Sequence, residues 1–238
     1  MEKINRINWL DFIIPIAILA VFTLIFRFTD LDLNLQAQFW QKGTGWFLKH
    51  AQPWDFIYHY SNLPALAIAI VSLVGLVWGF FQQKLRKYRK ICLFLVLGMI
   101  VGPGLIVNSL LKENWGRPRP RNIQNFGGKY QYEQVLEIDP SSSGKSFPSG
   151  HASIGFYFFI LFLLLRREQR KWAIVFLIFG ILFGGLIGVA RIVQGGHFFS
   201  DIIWSGGLGY LSSAALYYLL GIHRSIFYHS SHPINKHK

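Results

Sequence analysis

The stretch WAIVFLIFGILFGGLIGVA, residues 172–190, runs from end to end without a charged side chain. At about 1.5 Å of rise per residue, a helix of that length matches the roughly 30 Å hydrocarbon core of a bilayer. It therefore reads as a transmembrane helix. Three more windows, 9–28, 57–81 and 91–111, share its predominantly apolar character. Two others are mixed: 146–165 starts polar, and 202–220 carries serines and glycines. The fold expected is an all-α integral-membrane bundle of six transmembrane helices. Composition agrees, since 52% hydrophobic, 17% aromatic and only 15% charged residues point away from a soluble domain.

Basic residues set the orientation, because lysine and arginine are retained on the cytoplasmic side. The loop QQKLRKYRK (82–90) carries five, RREQRK (166–171) carries four, and the N-terminus has Lys3 and Arg6. These segments and the tail from His223 onward fall on one face of a six-span layout. The formal net charge of +13 is thus mostly a topology signal and does not imply a nucleic-acid partner. The first window reads as a retained helix, because its apolar run is long for a cleaved signal and no small-residue cleavage site stands out. Cys92, the only cysteine, lies inside a span, which excludes a disulfide framework and a thiolate metal cluster. No repeat or domain linker interrupts the chain, so residues 1–238 form one membrane-embedded domain in this reading.

The outside connections are unlike one another. Segment 29–55 holds Trp40, Trp46 and Trp54, a composition that fits either a loop with interfacial anchors or a lipid-gathering helix. Segment 112–150 is the longest polar stretch and contains Pro118, Pro120, Gly127, Gly128 and Pro140, which resist a regular helix. Its six basic residues, Lys112, Arg117, Arg119, Arg121, Lys129 and Lys145, run against the retention rule, and Glu113, Glu133, Glu137 and Asp139 offset them only in part. Positive charge left on that side implies a function that needs it.

Spacing sharpens that reading. KENWGRPRP places Lys112 at the end of the third span, with Arg119 and Pro120 seven and eight residues on. GKSFPSGHAS places Ser149, Gly150 and His151 at the mouth of the fourth, and ARIVQGGHFFSD sets Arg191, His197 and Asp201 between the fifth and sixth. All three clusters fall on the extracytoplasmic face of the six-span layout. Together they resemble the three signature motifs of the type 2 phosphatidic acid phosphatases, a family related to the vanadium haloperoxidases. The motif core covers about residues 112–201. The wider context, GPGLIVNSLLKENWGRPRP and QGGHFFSD, looks most like the bacterial branch that dephosphorylates lipid A; related enzymes act on undecaprenyl diphosphate or phosphatidylglycerol phosphate. One departure stands out: the family's third motif usually begins Ser-Arg, and this chain has Ala190-Arg191.

The chemistry follows from the residues as well. A phosphate monoester carries close to two negative charges and needs an electrostatic clamp on its oxygens. Lys112, Arg119 and Arg191 supply three cations, Ser149 a hydroxyl, and Gly150, Gly195 and Gly196 closely approaching main-chain N–H groups. No metal or other cofactor is then required. His197 is read as the nucleophile and Asp201 as its orienting partner, with His151 protonating the leaving oxygen and then activating the water that resolves a phosphohistidine. The resemblance implies the same roles. A neutral His197 beside a protonated His151 implies a bell-shaped pH profile within pH 5–9.

Other residues take plainer readings. His59, His223, His229, His232 and His237 read as interface residues, and Arg117 and Arg121 as flanking cations facing lipid headgroups. Asn108 and Pro103 read as packing and kink features. Gly184, Gly185 and Gly188 read as close helix contacts. The function expected is a lipid phosphatase of a bacterial inner membrane, its site facing the periplasm or cell exterior and its substrate a lipid phosphate. The alternatives are a lipid phosphotransferase using the same histidine, a non-catalytic transporter, and a zinc site built from two histidines and an aspartate.

Overall fold

The computed structural model describes residues 7–224, so Lys3, Arg6, His229, His232 and His237 lie outside the described residues. The chain is all-α. In order come α1 (Leu10–Phe28), α2 (Leu31–Ala37), α3 (Trp54–Tyr60), α4 (Leu63–Phe81), α5 (Arg89–Met99), a π-helical run Ile100–Leu111, the short α6 (Lys112–Asn114), α7 (Gly150–Phe156), α8 (Phe159–Leu165), α9 (Arg170–Val193) and α10 (Phe199–Leu219).

Four helical runs are long and apolar enough to cross a membrane: Leu10–Phe28, Trp54–Phe81, Gln83–Asn114 and Arg170–Val193. Their apolar side chains point largely outward; only 17% of the apolar window in α1 is buried. A water-soluble helix does the reverse and turns its apolar stripe inward. Helices that expose apolar surface along their length are solvated by lipid, and the chain is a multi-pass membrane protein.

The two mixed windows form the inner helices. Window 146–165 starts its helix only at Gly150, where the Ser149 hydroxyl accepts from Ala152 N at 3.4 Å, and a turn at Tyr157 and Phe158 divides it into α7 and α8. Helix α10 packs against α1, α7, α8 and α9. Its Ser200, Ser205, Ser212 and Ser213 are buried inside the protein, which is why its sequence lacks the apolar look of a lipid-facing span.

Glycines set how closely the helices approach. A Cβ at Gly184 would lie 2.4 Å from the Phe156 ring, and one at Gly188 would lie 2.4 Å from Ile202 Cγ2. Gly185, grouped with them on sequence, faces open space and has no neighbour within 4 Å of that position. At the end of the bundle away from the motifs, Arg166 donates two parallel bonds to the Asp11 carboxylate, 2.7 and 2.6 Å, and Tyr218 donates a third. A residue read as a topology charge thus ties α1 to α8 and α10. His223 is buried there against Tyr217 and Tyr218 and is not an interface residue.

Pro103 lies inside the π-helical run, where its missing N–H breaks the regular ladder. Asn108 Nδ2 donates to the Pro103 carbonyl at 2.7 Å and Ser109 Oγ to that of Gly104 at 3.1 Å. Segment 29–55 is packed down on the bundle, with Trp40 and Trp46 both against Phe126 at 5.7 and 5.4 Å between ring centroids. These tryptophans are half-buried and pack one side against protein.

Candidate active site

Segments far apart in sequence meet at one end of the bundle. The Lys112 ammonium donates to Asn108 Oδ1 at 3.3 Å, so Asn108, read on sequence as packing, bridges the Pro103 carbonyl to a candidate phosphate ligand. A Cβ at Gly150 would lie 2.3 Å from Asn108 Oδ1 and 3.0 Å from Lys112 Nζ; only glycine lets the α7 start come this close. Arg121 N donates to Gly195 O at 3.1 Å and Arg119 Nε to Lys145 O at 3.4 Å, which joins the first motif to the other two loops. Gly195 has φ +61°, and its Cβ would meet the Trp46 ring at 2.3 Å, so segment 29–55 covers the loop before His197.

His197 is 1% exposed. Its Nδ1 lies 2.6 Å from the Ser146 carbonyl, and Asp201 Oδ2 lies 3.6 Å away. A carbonyl only accepts, so Nδ1 carries the proton and Nε2 keeps its lone pair. Gln36 of α2 donates to the His197 carbonyl at 2.6 Å and fixes the backbone as well. Asp201 is third in α10 and accepts from Phe198 N at 2.9 Å, the return half of a capping box. It also accepts from Ser146 Oγ at 2.6 Å and Arg117 Nη1 at 2.7 Å. The aspartate approaches the histidine across the helix start, but the hydrogen bond at Nδ1 is the one to the Ser146 carbonyl, and Asp201 in turn accepts from the hydroxyl of that same Ser146.

Arg117 does not face lipid headgroups. It is fully buried, with Nη2 3.0 Å from Asp32 Oδ2, Nη1 2.7 Å from Ser200 Oγ, and its guanidinium 4.3 Å above the Phe198 ring. Burial alone would lower its affinity for the proton, but Asp201 and Asp32 outweigh it and raise the pKa above the ordinary arginine value. Asp32 also accepts from Ser200 N at 2.9 Å. No sequence signal marks Asp32; its partner is 85 residues away.

Lys112, Arg119 and Arg191 differ from Arg117 in this respect: among the described residues none meets a carboxylate within ion-pairing distance. Arg191 donates through Nη1 to Gln194 Oε1, while its Nε is buried without a hydrogen-bond partner among the described residues. An orphaned donor on a buried guanidinium is what an incoming phosphate oxygen would satisfy. Tyr58 of α3, also missed on sequence because it sits in an apolar run, stacks on the His151 ring at 4.9 Å and carries the Arg191 guanidinium 4.5 Å above its face. His59, next to it, is exposed and bonds back to the Asp55 carbonyl at 2.9 Å. Ser149 is fully buried; its main-chain N–H donates to Ser205 Oγ at 2.8 Å, and its hydroxyl caps α7. Ala190, where the family usually has serine, is fully buried.

Burial pushes the His197 imidazole down to about 3, against the opposing pull of Asp201. The ring is therefore neutral at physiological pH. Burial also lowers Arg119, and Arg121 adds like-charge repulsion. Among the described residues no three of His, Cys, Asp and Glu gather as a metal site.

Comparison with known proteins places these residues in context. Residues 91–224, more than half of the chain and nearly all of the site, match the PAP2 superfamily. The chain is 32% identical to the lipid A 4'-phosphatase of Francisella tularensis subsp. novicida (strain U112) over 84% of its own length and 90% of that protein. It is 33% identical to the lipid A 4'-phosphatase of Rhizobium leguminosarum over 63% of each chain. Phosphatidylglycerophosphatase B of Bacillus subtilis (strain 168) is 26% identical over 67% of this chain and 72% of that one. No solved structure matches. From the spaced motifs, their meeting in three dimensions and this match, the chain belongs to the PAP2 superfamily, as a membrane phosphatase homologous to the lipid A phosphatases.

Proposed function

We propose that the protein hydrolyses a lipid phosphate through a phosphohistidine on His197, without a metal, on the extracytoplasmic face of a bacterial inner membrane. The observation that carries this reading is the setting of His197. The Ser146 carbonyl holds Nδ1–H, so the free Nε2 is the nucleophile, and three cations that lack carboxylate partners among the described residues converge on the same loops. Nε2 attacks phosphorus as the bond to the leaving oxygen breaks, and protonated His151 gives that oxygen its proton. Water then attacks the phosphohistidine, passes its proton to His151, and the P–N bond breaks. Lys112, Arg119 and Arg191, with Ser149 and Gly150 at the α7 start, hold the phosphate oxygens.

In this reading the four long apolar runs, the α7–α8 pair and α10 make six spans of one domain covering 1–238, with a motif core at about 112–201. Lipid A phosphate is the favoured substrate, supported by the relative that matches over most of both chains; undecaprenyl diphosphate and phosphatidylglycerol phosphate come next. The test is inorganic phosphate release by detergent-solubilised protein in EDTA on a panel of these lipids and phosphatidic acid. Release that disappears in His197→Ala supports the proposal. Loss of activity in EDTA would restore the zinc reading, and phosphate moved to an acceptor lipid without release would make the protein a transferase.

A further inference from the structure

Beside the cluster of motif cations lies a cavity of about 310 Å³, lined by Arg119, Arg121 and Lys145 together with Asn122, Tyr130 and Ser143. No acidic side chain is among the described residues that line it. Lys145 has a counter-ion, Glu113 at 2.5 Å, but both side chains are about half exposed and water screens the pair. Arg121 is anchored through its backbone N–H on Gly195, and among the described residues its guanidinium makes no hydrogen bond or ion pair. Arg119 belongs to both places: it is one of the three motif cations and forms a wall of this cavity. One phosphate dianion is matched by Lys112, Arg119 and Arg191, which leaves Arg121 and Lys145 in excess. A guanidinium has five donors, so Arg119 can serve two anions at once. The volume is at the lower end of ligand pockets, about 300–1,000 Å³, and suits a headgroup fragment.

We propose that this cavity is a second anion subsite, holding a phosphate or carboxylate of the substrate headgroup while another phosphate of the same molecule lies against His197. The proposal rests on the lipid phosphatase reading above, and it turns the excess of cations into a selectivity for headgroups with two anionic groups.

The experiment compares one lipid carrying a single phosphate with the same lipid carrying two, in wild type and in Arg121→Gln. The expected result is a wild-type kcat/KM at least tenfold higher for the two-phosphate lipid, expressed in KM, with that ratio cut about tenfold in Arg121→Gln. Equal loss on both lipids, or no change in the ratio, overturns the subsite. Inorganic phosphate is the competing source: if the variant only weakens inhibition by free phosphate and leaves the lipid ratio intact, the cavity binds free anions and the headgroup proposal fails. Binding to His197→Ala protein separates this from the phosphatase reading. A preference for the two-phosphate lipid that disappears with Arg121→Gln in that background supports the subsite even if no lipid is turned over, and absence of that preference overturns it.

Discussion

The Arg117 guanidinium lies 2.7 Å from Asp201 Oδ1, with both side chains fully buried. Asp32 completes the triad from the far side at 3.0 Å, so one arginine stands between two carboxylates that belong to different segments. Breaking a buried pair by removing one partner leaves an uncompensated charge and costs about 3–5 kcal/mol. Arg117→Ala is expected to lose about that much, read as a lowered midpoint of denaturant unfolding in detergent. A variant with wild-type stability would show that the triad does not hold the fold.

The pH response of stability follows from His197. Its pKa is about 3 in the folded protein, against an ordinary value of about 6.5. Between those values the unfolded chain binds a proton that the folded one does not, so this contribution is full above about pH 6.5 and is lost as pH falls toward 3. Unfolding midpoints at pH 8 and pH 5 should show the protein weaker at pH 5. A gain of stability on acidification would contradict a buried neutral imidazole.

Activity should respond differently from the bell expected on sequence. A His197 with pKa about 3 is neutral throughout pH 5–9, so its acid limb falls below that range. The kcat/KM profile expected for this site therefore has no acid limb within pH 5–9. An acid limb centred near pH 6.5, abolished with His197, would show that the imidazole titrates as if exposed.

Tyr58 orders His151 by stacking and Arg191 by its ring face. Ring pairs contribute about 0.5–1.5 kcal/mol and cation–π contacts about 0.5–2 kcal/mol. Tyr58→Ala should therefore lower kcat/KM by roughly 10–100-fold, at about 1.36 kcal/mol per tenfold. Tyr58→Phe keeps the ring and should stay near wild type. Equal loss in both variants would place the effect in the hydroxyl.

Two neighbouring glycines give a paired test of packing. Gly188→Ala drives a methyl to 2.4 Å from Ile202 and should cost about 1–3 kcal/mol, whereas Gly185→Ala enters open space and should be neutral or slightly favourable. Thermal unfolding of the two variants side by side decides whether α9 meets α10 at Gly188.

The site was partly legible along the chain. Lys112, Arg119, His151, Arg191, His197 and Asp201 stood out by spacing as candidates, and the structure brings their segments to one end of the bundle. Asp32, Gln36, Tyr58 and Ser146 did not stand out. Each acts through a contact with a residue distant in sequence, and a buried aspartate in LDLNLQA or a tyrosine in an apolar run has no local mark. The inner helices were read with less definition than the outer ones for a related reason: their polar faces are satisfied by other helices, and only lipid-facing surface must be apolar.

By itself, the sequence determined the membrane class, the spans that face lipid and the family, since hydropathy and motif spacing are properties of short windows. Only the tertiary structure decided what surrounds each cation. In GRPRP, Arg117 and Arg119 are two residues apart and look alike. Folding buries the first between Asp32 and Asp201 and leaves the second without a carboxylate partner among the described residues, facing both the motif cluster and a basic cavity. Charge compensation at a buried site depends on which segments meet in space, and no local reading of the chain contains that information.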